Sequence, residues 1–512
     1  MKKTKYIFLL ILGLSIIGCS DLEEEPVGLL SPEGFFSTPE DIQLAVNASF
    51  THAINEEVWG RKLSVALMLR SDMVNLNSTQ TRRVEMNMHT ITGDNEMVFD
   101  PWTRIYLGIA AANNAIAGAE QVDADEDAKN PVIAQAYFAR AFYYFHLVRL
   151  FGDVPYLDSP VSDIDAATNL SNTPEAEVYE RIISDLEYAE QWLPNTVSTR
   201  ATPSKAAAKS YLALVYLTRA GNNSGSPDFQ MAYDKAKEVI TNKGTYGVDL
   251  DPDFQTLFNA NKIDGSPEPI FVLDYNNNEA PDNAYDQIAP MTGIRGDNDG
   301  GNGGWSVATP TMAVYDSFDP DDYRTRVSFQ TEALINDTTV DYTNFQSSGH
   351  EHAVNAPYIA KYIRFPGEYA RGNKRATSHN YSMIRYAEVL LIAAEAGVEI
   401  GAVDALDLLN EVRGRARNGG ESTNGGYVAE TIAPSAVPAD LTSITVADVL
   451  EERRMEFAFE CKRWYDIKRR QLGDQVFSAT GYEGEKPDWN SSVDYDTPIP
   501  QDEIDRNPNL AN

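Results

Sequence analysis

The sequence predicts a mainly α fold of paired helices with long irregular loop and short-strand insertions, and three observations carry that reading. Apolar residues recur at spacings of three and four between recognisable start and stop signals, as an amphipathic helix requires. Alanine fills inward positions such as Ala139, Ala141, Ala206 to Ala208, Ala393, Ala394 and Ala396, so neighbouring helix backbones can approach closely. The stretch from 247 to 380 changes to Gly, Asn, Asp, Pro and Tyr, a composition of loops and short strands on which recognition commonly sits.

From the N-terminus, Lys2, Lys3 and Lys5 precede an apolar run from Ile7 to Gly18, which reads as a signal peptide over 1–18. The run is too short to cross a hydrocarbon core of roughly 30 Å, which takes about 20 apolar residues. Ile16, Ile17, Gly18 and Cys19 resemble the lipobox of bacterial lipoproteins, so cleavage before Cys19 and its diacylation are expected. Acyl chains bind membranes at roughly 0.8 kcal/mol per buried methylene. Residues 19–30 form a lipidated acidic tether whose Glu23, Glu24 and Glu25 lead to Pro26, and it resembles the surface-export signal of such lipoproteins.

A first helical region is expected over 31–246. Asn130 and Pro131 offer an N-cap and a first-turn proline, then Ala134, Phe138, Ala141, Phe145 and Val148 form a stripe that Gly152 closes. Thr202 and Pro203 open a second such helix through Ala208, Leu212 and Val215 to Gly221. After the insertion at 247–380, the C-terminal region 381–512 carries stripes through Ala387, Leu391, Ala394 and Val398 and through Leu406, Leu409, Val412 and Ala416. The packing resembles tetratricopeptide pairs, without a repeat of fixed period.

The 512 residues, 43% hydrophobic, suffice for a large core. Lys and Arg number 42 against 76 Asp and Glu, a formal charge of −34 that repels phosphate backbones and so excludes nucleic acid as a partner. The chain holds two cysteines. With Cys19 acylated, Cys461 has no intrachain partner, and its place beside Phe457 and Trp464 predicts a buried inert thiol.

Several segments together resemble the SusD/RagB family. Ser31 to Asp41 with Asn47 to Phe50 resembles its opening, and Trp102 to Tyr106 with Ala112 to Ile116 its next helix. The most specific stretch joins Phe138-Ala-Arg-Ala-Phe142 and Tyr144-Phe145 to Phe151-Gly-Asp-Val-Pro155. Ile384 to Ile392, Asn410 to Arg413, Glu451 to Arg454 with Arg463 and Asp466, and the ending Pro498 to Ile504 with Asn507 to Leu510 follow in the family's order. This resemblance implies a nutrient-binding lipoprotein of the outer membrane that serves a SusC-like TonB-dependent transporter, facing the cell exterior. The family motifs leave its ligand class open, and an oligosaccharide is the expected ligand, with a peptide as the alternative.

Each apparent catalytic or metal signature has a plainer reading. Arg453, Glu456, Glu460 and Arg463 fall at helical spacings on one face, but opposite charges at such spacings satisfy one another. A structural ion-pair role is therefore preferred to acid–base work, with Arg385 and Arg413 as candidate partners. No His-Glu-x-x-His, Gly-x-Ser-x-Gly or phosphate-loop motif occurs. Of six histidines only His350 and His352 are closely spaced, too few for a zinc site. The run 296–304 misses calcium-loop spacing, leaving only an irregular calcium geometry open. No catalytic residue, cofactor or metal is expected.

Sugar recognition needs flat apolar faces beside planar polar groups. Trp305, with Tyr275, Tyr285 and Arg295 upstream, is one candidate group, and Asp72, Asn75, Asn77 and Arg82 form a second. Trp102 and Trp464 are assigned to the core. A surface glycoside hydrolase and a helical protein-interaction scaffold remain the alternative readings.

Overall fold

The computed structural model describes residues 35–161, 168–275, 284–293, 304–335, 338–341, 355–367, 377–423 and 428–511. Signal, Cys19, tether, Arg295, most of the run 296–304, His350 and His352 lie outside them. Helix α1 (Pro39–Ala53) starts from a capping box in which Thr38 and Asp41 satisfy each other's backbone N–H groups, with a proline in the first turn. Helix α2 (Lys62–Leu69) is buried from Leu63 to Leu69 and so runs through the interior. Strand β1 (Asn75–Leu76) and helix α3 (Thr81–Met88) follow, the latter ended by His89 at φ 60°.

The long helices α4 (Glu96–Ala119), α5 (Glu126–Phe151), α6 (Glu175–Trp192), α7 (Lys205–Ala220) and α8 (Asp228–Thr241) each pack on the next. Helix α5 is buried on every side from Phe138 to Phe151, which makes it the central element. Each fully buried Phe or Leu there is worth roughly 1.5–3 kcal/mol. Close approach is built in at Gly108, where a Cβ would stand 2.4 Å from the Tyr143 ring. The Tyr143 hydroxyl donates to the Ser49 carbonyl (2.6 Å), while Ser49 Oγ donates to the Gly108 carbonyl (2.9 Å), so α1, α4 and α5 are latched together.

The insertion contributes strand β2 (Pro269–Leu273), the short helix α9 (Ile288–Thr292), strand β3 (Ala308–Thr309) and helix α10 (Tyr323–Ser328). Strand β4 (Tyr381–Arg385) pairs antiparallel with β2 and runs directly into helix α11 (Tyr386–Ile400), followed by α12 (Ala405–Ala416). Helix α11 packs between α8 and α12, joining the two helical regions. Among the described residues all sheets are two-stranded. The mainly α reading thus holds.

Two expectations need correction. Helix α5 begins at Glu126, so Pro131 lies inside it. The lost backbone hydrogen bond falls near an exposed end, where Glu126 and Asp127 favour the helix dipole and the buried length beyond outweighs it. The expected continuous helix through Arg453 and Arg463 is instead α13 (Val446–Glu456) and α14 (Arg463–Arg469), separated by a turn with Phe459 and Cys461 at φ 66° and 60°. Leu450, Phe457, Cys461 and Trp464 are buried all the same.

That turn exists to serve charges. Glu456 accepts from Arg385 (2.6 Å), Arg324 (3.1 Å) and Arg415, and Glu460 from Arg385 (3.0 Å) and Lys361 (2.8 Å). Glu268 joins from ahead of β2, bonded to Arg385 and Arg415 at 2.6 Å each. Arg413 pairs with Glu452. The charged face is therefore an internal lattice reaching other segments, with Arg385, Glu268 and Glu456 fully buried. Burial alone would raise the Glu456 carboxyl, but Arg415, Arg385 and Arg324 outweigh it and hold it well below the usual carboxylate range.

Because stripping one partner from a buried pair leaves an uncompensated charge, Glu456→Gln is expected to cost about 3–5 kcal/mol in urea unfolding. Glu177→Gln, which removes an exposed pair with Arg181, should change stability by less than about 1 kcal/mol in the same measurement. The Glu456 contribution is present above the ordinary glutamate pKa of 4.5 and is lost as pH falls below it.

Candidate functional site

The two polar patches expected from the sequence converge, because β1 pairs with β3. Asn75 lies opposite Thr309 and Leu76 opposite Ala308. The ladder continues as Asn77 N–H donates to the Val307 carbonyl (2.8 Å) and Asn77 Nδ2 to Ser306 Oγ (3.1 Å). Trp305, half-buried against the core, directly precedes Ser306, and its backbone N–H donates to the Pro290 carbonyl within α9 (2.5 Å). An indole and two side-chain amides thus share one short antiparallel ladder.

Tyr285 is buried, 6% exposed, in the chain leading to α9. Its hydroxyl donates to Glu56 Oε2 (3.3 Å), and Glu56 is paired with Arg61 (2.8 Å). Gly60 permits this approach, since a Cβ there would stand 2.4 Å from the Tyr285 carbonyl oxygen, and its own carbonyl accepts from Gln287 N–H (2.8 Å). Sequence reasoning missed Glu56 and Arg61. Their contact with Tyr285 spans more than two hundred residues and has no local signature.

Three expected residues take other positions. Asp72 is 1% exposed, and its two oxygens accept from Arg463 at 2.8 Å each, so it belongs to the interior. Burial would raise its carboxyl, but Arg463 holds it below the ordinary aspartate value. Tyr275 is buried at the end of β2, where desolvation pushes its hydroxyl far up. Arg82 faces a separate polar cleft beside α3, lined by Gln80, Glu85, Asp94, Asn95 and Glu96 without an aromatic side chain, and pairs with Glu96. The two groups therefore reduce to Trp305, Asn75 and Asn77, while Tyr285 is buried beside Glu56.

Comparisons with known proteins agree with this architecture. Residues 267–512 match the sequence profile of the SusD family, and residues 41–217 match a profile described as starch-binding, associating with the outer membrane. A SusD-like protein P2 of Formosa agariphila is 47% identical over 518 residues, covering 100% of this chain and 99% of its own. The chain belongs to the SusD family. Among solved structures, a SusD homologue from Bacteroides thetaiotaomicron superposes with a TM-score of 0.79 at 19% identity, over 94% of this chain and 97% of that one. A laminarin-binding SusD-like protein superposes with a TM-score of 0.75 at 22% identity, over 92% and 98%.

Within this SusD-family chain the described residues contain no cluster of three or more metal-ligating acids, histidines or cysteines, and no helix long and apolar enough to cross a membrane. Cys461 is buried, its thiol donating to the Ser64 carbonyl, and burial pushes it up to about 12, as an inert thiol requires.

Asp286, next to Tyr285, is the titratable group built into this region. It is 2% exposed, accepts from Thr377 Oγ1 and from Ile288 N–H (2.9 Å), and burial raises its carboxyl to about 6 despite those bonds. A raised carboxyl stabilises the fold below its unfolded value of 3.8, and that contribution is lost as pH rises through about 6. Asp286→Asn keeps the acceptor without the charge. Its stability relative to the parent should therefore rise by on the order of 2–3 kcal/mol between pH 3.5 and pH 7.5, read from thermal unfolding across that range.

Proposed function

We propose that the protein is a lipid-anchored, outward-facing binding protein that holds an oligosaccharide, without chemical conversion, for a TonB-dependent outer-membrane transporter. The observation that carries this reading is the β1–β3 ladder, which sets the Trp305 indole one residue from the Asn77–Ser306 contact. A sugar ring offers C–H faces that pack on an aromatic plane and hydroxyls that both donate and accept. Side-chain amides do the same, so indole and amide together suit a neutral polyol better than an ion.

The non-catalytic part of the proposal rests on the carboxylates that first suggested chemistry. Glu456 and Glu460 are spent inside the protein on Arg385, Arg415 and Lys361. A glycosidase needs two carboxyls facing a substrate, roughly 5–5.5 or 6.5–9.5 Å apart. Membrane attachment through Cys19 supplies the anchor, and the transporter supplies passage that no described helix provides.

The chain beginning after Cys19 should be retarded in native gels by one or more polysaccharides, with no new reducing ends released. Trp305→Ala should weaken that retention at least tenfold, about 1.4 kcal/mol, in protein whose circular dichroism shows it still folded. New reducing ends would replace this reading with a hydrolase. Retention of peptides in place of glycans would move the ligand class, and equal retention by the variant would move the site away from the ladder.

A further inference from the structure

Behind the ion-pair lattice lies a cavity of about 30 Å³ that the binding function leaves unused. It is bounded by α5, α7, β4 and the turn between α13 and α14, and its walls include His146, Arg149, Ser382 and Arg453. A cavity needs about 10–15 Å³ of such space to hold one water molecule, so there is room for one particle somewhat larger.

The wall is rich in unspent donors. Arg453 uses Nε on Asp466 and Nη2 on Glu388, and Nη1 has no protein partner among the described residues. Ser382 Oγ and His146 Nε2 are likewise unpartnered within the described protein. The tautomer of His146 follows from its neighbour. Arg149 can only donate, so His146 Nδ1 accepts from it (3.0 Å), and burial keeps the imidazole neutral. The remaining proton therefore sits on Nε2, and the wall offers a second N–H.

Acceptors are already engaged. Asp466 is held by Arg453 and Arg469, Glu388 by Arg453 and Lys462, and Glu460 by Lys361 and Arg385. Four cationic side chains and three carboxylates line the cavity. The guanidinium of Arg149 rests on the Phe145 carbonyl, His146 and the rings of Phe145 and Tyr465, and has no carboxylate partner among the described residues. A buried cation without a counter-charge is costly, and an anion beside it offsets that cost where a neutral water cannot.

We propose that this cavity is a binding site for one small monovalent inorganic anion of chloride size, accepting from Arg453 Nη1, His146 Nε2–H and the Ser382 hydroxyl. The anion supplies the negative charge that the lattice lacks beside Arg149. It is a structural ligand, distinct from the surface nutrient site at Trp305.

Crystals of the protein grown with sodium bromide as the sole halide should show an anomalous peak between His146, Ser382 and Arg453. Two water-strength peaks without anomalous signal there would overturn the proposal. In solution, protein unfolded and refolded in sodium gluconate should gain thermal stability on adding chloride at constant ionic strength, with a saturating response. Ser382→Ala, a mild change, should raise the half-maximal chloride concentration several-fold without abolishing folding. An equal Tm in chloride and gluconate, or an unchanged midpoint in the variant together with an empty anomalous map, would sink it.

Discussion

The structure depends on a buried lattice of charges that joins segments far apart in sequence. Glu268 precedes β2, Arg324 lies in α10, Arg385 ends β4, Arg415 ends α12, and Glu452, Glu456 and Glu460 come from α13 and the turn after it. Taking so many ions out of water is expensive, and the expense is offset only when every one finds its partner. None of these segments can leave its place without stranding a charge. The rings of Phe254 and Phe457 lie against the same guanidinium groups and dry the surroundings in which the pairs are strong.

This lattice explains how a loop-rich insertion can be held in one arrangement. The helical scaffold is assembled by ordinary means, with α5 buried all round and small residues such as Gly108 setting close approach. The insertion has few helices and only two-stranded sheets, which are marginal alone. Its fixed points are Glu268, Arg324 and Lys361, each tied to the C-terminal helices. The β1–β3 ladder and Tyr285 tie other parts of it to the N-terminal region, through Asn75 and Leu76 and through Glu56.

Legibility differed by the range of the interaction. Helices α5, α7, α11 and α12 announce themselves through apolar periodicity, and only boundaries were misjudged, at Pro131 and at the turn after Glu456. In both places a tertiary demand overrides a local rule: the buried length of α5 carries Pro131, and Phe459 and Cys461 take positive φ so that Glu456 and Glu460 both reach Arg385. At the candidate site, polar composition says nothing of the facing of the side chains. Asp72 and Asn77 are five residues apart in one polar stretch, yet one is paired inside with Arg463 and the other joins Ser306 near Trp305.

The sequence by itself determined the fold class and the family, because helix periodicity, caps and motif strings are local properties. Only the tertiary structure decided which polar residues were interior partners and which were presented. That choice turns on contacts such as Asp72 with Arg463, or Glu56 with Tyr285, between residues hundreds of positions apart. A carboxylate or an amide has the same letter in either role, and its environment, which sets its charge and its partners, exists only after the chain has folded.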